Sequence, residues 1–295
     1  MNSSAATMRA GGKINLRLKV TARRPDGYHE LDTIFYPFEF PSDRVGIDFD
    51  SAAGIELVCN SPEIGEGSAN LAFRAAERYA EIANLVPQWK ITLEKSIPVA
   101  AGCGGGSSDA AAVLTLLNEH YRALSDKVLA ETALSLGADV PFFLERRPLR
   151  ATGIGEIFEE FPLPEKMPEI LMVNPGFPVS AKWAYQALQM QYVGAGKAIT
   201  PADYAAAFAD PEHADWDELF RNDLAFALWE KFPLLRMLKE FISERGAWVV
   251  QLSGSGPTIF ALFGDAEAAA GCAAALRQSE ISTPYTRIFT GGKEW

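Results

Sequence analysis

The sequence predicts an α+β fold in two layers, built from two domains. Segments with the two-residue period of strands alternate with segments of helical period along the 295 residues, which indicates sheets packed against helices. At about 100–200 residues per domain, this length fits two modest domains. Three prolines within residues 161–168 indicate a boundary. We therefore expect an N-terminal domain over residues 1–162 and a C-terminal domain over residues 163–295.

Composition and charge exclude several classes of protein. Hydrophobic residues make up 48% and charged residues 22% of the chain, which is typical of globular proteins rather than disordered ones. A formal net charge of −11 argues against general nucleic-acid binding, although it leaves room for a local phosphate pocket. The apolar run at residues 110–117 is far shorter than the ~20 residues of a membrane span. Three widely spaced cysteines and an N-terminus without an apolar signal core predict a cytoplasmic protein without membrane partners.

The first domain is expected to open with strands. Residues 13–20 alternate polar and apolar side chains, and Pro25-Asp26-Gly27 is a turn signal before an aromatic return strand at 31–40. Leu71, Ala75, Tyr79 and Ile82 share one face of a predicted helix. The remaining predictions are a hairpin of 45–49 with 55–58, the helix 70–83, a strand at 89–93 and helices through 110–117 and 127–136.

The second domain is expected to mix short buried strands with several helices. The periods predict strands at 170–173, 248–252, 258–263 and 285–289, and helices at 181–189, 201–208, 224–243 and 266–278.

A glycine-rich loop at residues 98–112, PVAAGCGGGSSDAAA, is the strongest local signal. Its glycines leave backbone N–H groups free to surround an anion, and Ser107 and Ser108 begin an apolar helix whose N-terminus attracts phosphate. No lysine follows Gly106, so this is not a P-loop, and Ser107 interrupts a dinucleotide-binding GxGxxG pattern. The alternative is a flexible loop with an ordinary helix cap.

The loop resembles the second of three motifs of the GHMP kinases, in which it wraps the ATP triphosphate; Cys103 stands where that family usually has leucine. Residues 11–16, GGKINL, resemble the first motif, and residues 252–258, LSGSGPT, resemble the third. The resemblance implies the two-domain fold of that family, with a ribosomal-protein-like N-terminal domain, a ferredoxin-like C-terminal domain and an active site in the cleft between them.

Further motifs narrow the resemblance within this family. They match GHMP kinases that use ATP to phosphorylate the 2-hydroxyl of 4-diphosphocytidyl-2-C-methyl-D-erythritol, in the non-mevalonate isoprenoid pathway. That implies a small-molecule substrate. The matching segments are RRPDGYHEL at 23–31, LGADVPFF at 136–143, GIGE at 153–156, NPGF at 174–177 and NDL at 222–224.

Two charged residues carry the expected chemistry. Asp139, placed at the start of a short helix at 140–144, is the expected base for the acceptor hydroxyl, and Lys13 would stabilise the developing alkoxide. The resemblance implies that the two act as a pair. The alternatives are a helix N-cap for Asp139 and a solvated strand end for Lys13.

ATP and Mg²⁺ are the implied cosubstrate and cofactor. Ser108 is expected to contact Mg²⁺ or the β-phosphate, and Asp109 is expected to face away from the phosphates. Asn70 and Lys95 align with positions around the adenine, and either is equally well explained as plain structure. The ATP-binding residues of the loop are Pro98, Val99, Ala100, Ala101, Gly102, Cys103, Gly104, Gly105, Gly106, Ser107 and Ser108.

The remaining residues are expected to bind the acceptor. Tyr28 and His29 align with the cytidine contacts of the family, and Tyr185 aligns more loosely with a second aromatic there. Asn15 is also expected to bind substrate. Backbone donors of Gly254, Ser255 and Gly256 are expected to meet the diphosphate. The alternatives are a backbone-satisfied strand-end histidine for His29 and a simple hairpin turn for residues 254–256.

Other functions compete with this hypothesis. They are a homoserine- or mevalonate-type kinase, a non-catalytic nucleotide-binding regulator on the same fold, and an RNA-binding module. The DGYH segment at residues 26–29 disfavours a homoserine- or mevalonate-type kinase. The presence of both Lys13 and Asp139 disfavours a non-catalytic regulator. The net charge of −11 disfavours an RNA-binding module.

Overall fold

The computed structural model describes residues 4–65 and 67–295 and contains both helices and sheets. The first two strands are unusually long, and the others have two to seven residues. The strands are β1 (Ala5–Arg23), β2 (His29–Asp48), β3 (Gly54–Cys59), β4 (Gln88–Glu94), β5 (Leu149–Gly153), β6 (Ile157–Glu160), β7 (Glu169–Asn174), β8 (Val249–Leu252), β9 (Ile259–Phe263), β10 (Arg287–Thr290) and β11 (Lys293–Glu294).

The helices have four to 17 residues, and α2 is the longest of those that the structure describes. No helix in the described parts of the chain is long and apolar enough to cross a membrane. The helices are α1 (Leu71–Ala83), α2 (Gly105–Tyr121), α3 (Asp126–Leu136), α4 (Phe142–Glu145), α5 (Ala181–Gln186), α6 (Pro201–Ala209), α7 (Trp216–Leu219), α8 (Ala225–Lys231), α9 (Pro233–Ser243) and α10 (Ala266–Gln278), with short 3-10 turns at Gly67–Ala69, Met190–Tyr192 and Pro211–His213.

The chain forms two compact units whose boundaries differ from the predicted division at residue 162. The first unit holds Met1–Gly12, Pro37–Val99 and Gly104–Arg147, and the second holds Lys13–Tyr36, Ala100–Cys103 and Pro148–Trp295. Strands β1 and β2 therefore contribute residues to both units. The boundary at 162/163 stays a prediction.

In the first unit, β4 pairs antiparallel with the C-terminal part of β2 and parallel with β3. The predicted hairpin of 45–49 with 55–58 is therefore wrong. Val45 and Ile47 on β2 and the alternate residues of β4 are fully buried, whereas β3 is only half buried. The more deeply buried β4 lies beside β2, and the half-buried β3 lies on the far side of β4. The predicted helix at 70–83 and strand at 89–93 are confirmed.

In the second unit, five strands form a sheet in the order β11-β10-β7-β9-β8, with antiparallel pairs. All five residues of β9 are buried. The N-terminal part of β2 pairs with β5, which pairs with β6. The single helix predicted at 224–243 is wrong: α8 ends at Lys231 and α9 begins at Pro233. Proline lacks the N–H that an uninterrupted helix needs, and it suits a first helical position. The helix predicted at 181–189 is shorter, because α5 ends at Gln186.

Candidate active site

The glycine-rich loop leads directly into α2, as predicted, but the helix begins at Gly105 rather than at Ser107. Ala100, Gly102 and Gly104 have positive φ values of 50°, 79° and 70°, which bend the chain tightly. The N-cap of α2 is Gly104, so no side chain caps the first turn. A Cβ added at Gly106 would meet no described atom within 4 Å. The helix therefore begins with uncapped N–H groups beside open space, which suits a phosphate.

Loop residues within the second unit are fixed by the third motif. The carbonyl oxygen of Gly102 accepts hydrogen bonds from Ser253 Oγ at 2.9 Å and from Lys13 Nζ at 3.1 Å. A Cβ on Gly102 would lie 2.2 Å from the Ser253 carbonyl oxygen, so only glycine permits this approach. Thr258 N donates to the Ala101 carbonyl at 3.3 Å. Parts of the second and third motifs thus form one hydrogen-bonded group.

Lys13 joins the same group from β1. Its backbone N–H donates to the Cys103 carbonyl at 2.9 Å, and its Nζ donates to Asn15 Oδ1 at 2.6 Å. The residue is only 5% exposed, which excludes the alternative of a solvated strand end. Asn15 N in turn donates to Ser253 Oγ at 3.2 Å. Lys13 is thus a buried ammonium held among backbone and amide oxygens.

Cys103 is the cysteine within the glycine-rich loop. The side chain is 3% exposed, so it packs as an apolar group. Burial raises the pKa of the Cys103 thiol, against smaller opposing effects of Thr258 and Lys13. The thiol therefore stays protonated near neutral pH.

Asp139 lies in the first unit, in the turn between α3 and α4, and is half buried. The predicted helix start is wrong, because α4 begins at Phe142 with Pro141 at its N-cap. Pro141, rather than Asp139, therefore occupies the N-cap position of α4. The turn is closed by a hydrogen bond of 3.1 Å from Val140 N to the Gly137 carbonyl. The pairing of Asp139 with Lys13 stays a prediction.

Lys95 is held in the first unit by two buried carboxylates. Its Nζ contacts Asp109 Oδ2 at 2.5 Å and Asp43 Oδ2, and its side chain is 6% exposed. Burial of Asp109 and the nearby Asp43 raise the pKa of Asp109 to about 7, although Lys95 opposes this shift. Sequence reasoning missed Asp43. Lys95 therefore has a structural role whether or not it also binds adenine, and Asp109 pairs with this lysine.

Asn70 caps α1, because its Oδ1 accepts a hydrogen bond of 2.9 Å from Ala72 N. The residue is 3% exposed, and its Nδ2 has no hydrogen-bond partner among the described residues. A buried amide donor without a partner costs free energy unless a ligand satisfies it. Asn70 thus acts as a helix cap, which is its structural role, and its Nδ2 donor is available for the predicted adenine contact.

The predicted cytidine contacts lie around one cavity of about 720 Å³ in the second unit. The His29 and Tyr185 rings stack at 5.2 Å between centroids, with 25° between planes. Burial and then the charge of Arg23 lower the pKa of His29, so the imidazole is neutral at pH 7. Tyr28 is 61% exposed at the same cavity. Aromatic faces and a neutral imidazole suit a pyrimidine base.

The third motif joins β8 to β9, so residues 254–256 do form a hairpin turn. Gly254 and Gly256 have φ values of 57° and 69°, a region that favours glycine. A Cβ on Gly254 would lie 2.9 Å from Asn15 Oδ1. The turn therefore brings its backbone close to the Lys13–Asn15 segment. The Gly256 N–H donates to the Ser253 carbonyl at 2.9 Å, so its predicted contact with the diphosphate is wrong, while those of Gly254 and Ser255 stay predictions.

Comparison with known proteins agrees with these motifs. The profile of the GHMP kinases N terminal domain matches residues 70–146, and that of the GHMP kinases C terminal domain matches residues 206–281. A 4-diphosphocytidyl-2-C-methyl-D-erythritol kinase from Geobacter metallireducens is 38% identical, over 92% of this chain and 94% of that one. One from Nitratidesulfovibrio vulgaris is 38% identical over 90% and 94%.

The chain belongs to the GHMP kinases, in the family of the 4-diphosphocytidyl-2-C-methyl-D-erythritol kinases. A crystal structure of a 4-(cytidine 5'-diphospho)-2C-methyl-D-erythritol kinase is similar with a TM-score of 0.81 and 35% identity, covering 97% of this chain and 98% of that one. A homoserine kinase from Cytophaga hutchinsonii shares the fold alone, with a TM-score of 0.71 and 17% identity over 100% and 98%. The predicted family and α+β GHMP fold are confirmed.

Proposed function

We propose that this GHMP kinase transfers the γ-phosphoryl group of ATP to the 2-hydroxyl of 4-diphosphocytidyl-2-C-methyl-D-erythritol. The buried group of Lys13, Asn15, Gly102 and Ser253 carries the proposal, because it unites residues of the three kinase motifs around one ammonium. The relatives named 4-diphosphocytidyl-2-C-methyl-D-erythritol kinase match nearly the whole chain, which supports this acceptor over homoserine or mevalonate.

The acceptor is recognised in this proposal by the second unit. Its cytosine lies against the His29 and Tyr185 rings, where the cavity has the volume for a nucleoside. The backbone N–H groups of Gly254 and Ser255 donate hydrogen bonds to its diphosphate, whereas the Gly256 N–H is used within the turn. Asn15 Oδ1 holds Lys13 Nζ, which orients the ammonium.

Phosphoryl transfer then requires alignment and charge compensation. The acceptor oxygen forms a bond to the γ-phosphorus while the bond from that phosphorus to the β-phosphate oxygen breaks, and ADP leaves. Asp139 takes the proton of the 2-hydroxyl, and Lys13 stabilises the negative charge that develops on the acceptor oxygen. The uncapped N–H groups at the N-terminus of α2 donate hydrogen bonds to the triphosphate.

Mg²⁺ fits this arrangement when the nucleotide supplies most of its ligands. The described parts of the chain contain no group of three or more histidine, cysteine or acidic side chains that would hold a metal ion. Mg²⁺ commonly binds through substrate phosphates and water with few protein ligands. Ser108, in the first turn of α2, is the proposed protein ligand. The metal would neutralise charge on the phosphates.

An ADP-release assay with three acceptors tests the activity. We expect acceptor-dependent ADP formation with 4-diphosphocytidyl-2-C-methyl-D-erythritol, and none above background with homoserine or mevalonate. Turnover of either of the latter would replace the proposed acceptor. ATP binding without ADP release from any acceptor would favour the non-catalytic regulator.

Asp139→Ala tests the proposed base. Loss of a positioned general base lowers kcat by about 10²–10⁴-fold, whereas the affinity for ATP, measured by titration, should remain. Asp126→Ala, which changes an exposed aspartate in the first turn of α3, is the matched control and should keep normal kcat. Near-normal turnover by Asp139→Ala would remove this residue from the mechanism.

A further inference from the structure

Two family motifs, NPGF at 174–177 and NDL at 222–224, have no role in the mechanism above. Asn222 is 8% exposed, and its Nδ2 donates to the carbonyl oxygens of Leu252 at 2.9 Å and Gly254 at 2.8 Å. Its Oδ1 accepts from Leu224 N at 3.0 Å. One side-chain amide therefore satisfies two buried carbonyls at the start of the 252–258 loop.

Asn174 holds the other end of the same loop. It is 3% exposed, and its Nδ2 donates to Thr258 Oγ1 at 3.0 Å. Its Oδ1 accepts from Gly176 N at 2.9 Å, which keeps the amide orientation fixed. Ser253 N donates to the Thr258 carbonyl at 2.9 Å and closes the loop between the two asparagines.

The bond from Asn222 to Gly254 determines how the next peptide points. In a trans peptide, the carbonyl of one residue and the N–H of the next point to opposite sides. Because the Gly254 carbonyl turns inward to Asn222, the Ser255 N–H turns the opposite way. Within residues 4–65 and 67–295, no group accepts a hydrogen bond from this N–H. Ser255 is only half buried, so a ligand can approach this residue.

We propose that Asn222 is a positioning residue that fixes the Gly254–Ser255 peptide, so that the Ser255 N–H is presented to a phosphate of the acceptor's diphosphate. Asn174 supports this from the far end of the loop. The inference rests on the proposed function, because that function supplies the diphosphate. It also gives the two otherwise unassigned motifs a physical role in substrate binding rather than in chemistry.

Asn222→Asp is the sharpest test of this inference. Aspartate keeps the acceptor for Leu224 N but loses both donors, and its carboxylate oxygen would face two carbonyl oxygens. We expect the Gly254–Ser255 peptide to reorient, so that KM for the cytidyl acceptor rises at least 10-fold while KM for ATP changes less than twofold. The affinity for CDP, measured by calorimetric titration without ATP, should fall by a similar factor.

Asn118→Asp is the matched control. Like Asn222, Asn118 uses its side-chain amide to bond backbone groups: it donates to the Leu124 carbonyl at 3.1 Å and accepts from Leu124 N at 3.0 Å, and it also accepts from Tyr79 Oη at 3.0 Å. Both variants should lower the melting temperature, but only Asn222→Asp should weaken binding of the acceptor and of CDP. Equal KM and CDP affinity in the two variants would overturn the inference.

Two further outcomes are distinguishable. If the wild-type chain releases no ADP with the cytidyl acceptor, the proposed function fails, while the CDP titration still decides whether Asn222 affects diphosphate binding. If Asn222→Asp does not fold, Asn174→Ala tests the loop from its other end. A rise in KM for the acceptor of at least threefold, with KM for ATP unchanged, supports the inference, and unchanged KM for both contradicts it.

Discussion

The buried group of Asp43, Lys95 and Asp109 places two carboxylates around one ammonium. Asp43 is the better satisfied carboxylate, since its Oδ1 also accepts from Ser96 N at 2.6 Å and Ile97 N at 2.8 Å. Asp109 Oδ1, by contrast, has no hydrogen-bond partner in the described part of the chain. A proton taken up by this group therefore belongs on Asp109, whose pKa is raised to about 7, mainly by burial.

This shift predicts a pH dependence of stability. Because the pKa of Asp109 lies above its ordinary value of 3.8, the folded protein binds more protons than the unfolded chain between about pH 4 and pH 7. The free energy of unfolding should therefore fall as pH rises through this range, by at most about 1.4 kcal/mol per pH unit for one proton. The raised pKa of Lys95 changes the pH dependence of the free energy of unfolding only above about pH 10.

Urea unfolding from pH 4 to 8 measures this dependence. Asp109→Asn removes the titrating group. The slope of the free energy of unfolding against pH, between pH 4 and 7, should therefore become less steep by up to about 1.4 kcal/mol per pH unit. Asp126→Asn changes an exposed aspartate and should keep the wild-type slope. A slope in Asp109→Asn equal to that of the wild type would show that another group titrates there.

The same residues show where sequence reasoning stops. Lys95 was recognisable because it adjoins the glycine loop, but Asp43 lies 52 residues away along the chain. The pairing of β2 with β4, which sets Arg44 opposite Glu94, brings these neighbours together. Strand register depends on the packing of whole strands, so no local pattern announces this contact.

At the scale of elements, the N-cap of α1 combines a structural role with a predicted ligand contact. Asn70 Oδ1 caps the helix, whereas Nδ2 has no partner among the described residues. Asn70→Ser keeps a good capping oxygen but removes the amide donor. We expect a small change in melting temperature and a KM for ATP raised about 3- to 10-fold, as for one lost hydrogen bond.

Asn70→Ala should show the same rise in KM for ATP together with a loss of about 1 kcal/mol of stability from the missing cap. Ser125→Ala removes the cap of α3, where Ser125 Oγ accepts from Val128 N at 3.4 Å, and is the control for stability alone. An unchanged KM for ATP in Asn70→Ser would leave Asn70 with the capping role only.

The predicted elements divide according to the range of the forces that form them. Helices α1, α3 and α10 follow from local periodicity and caps, so their predicted ranges are confirmed within a few residues. The β5–β6 pair was not predicted, because Leu149–Gly153 and Ile157–Glu160 are short and only partly buried. The parallel partner of β3 comes from later in the chain, which a search for hairpins does not consider.

At the scale of the whole molecule, the motifs identified the family but did not predict which segments of the chain form each compact unit. Lys13–Tyr36 and Ala100–Cys103 belong to the second unit, although they precede the proline-rich segment by many residues. Composition shifts detect linkers, whereas a strand that serves two units leaves no such sign. The site residues share this property, because Lys13, Asn15, Gly102 and Ser253 are gathered by packing rather than by position in the chain.

A ligand that binds only the folded protein raises its stability, by about 2.7 kcal/mol at 100 times its dissociation constant. CDP and ATP should therefore each raise the melting temperature when added alone.

His29→Ala removes the ring that stacks on Tyr185 in the cavity of the second unit. We expect this variant to lose at least half of the shift produced by CDP while it keeps the shift produced by ATP. His213→Ala, which changes an exposed histidine paired with Asp210, should keep both shifts. If His29→Ala reduces the two shifts equally, the histidine acts on the stability of the fold and the cytidine assignment is wrong.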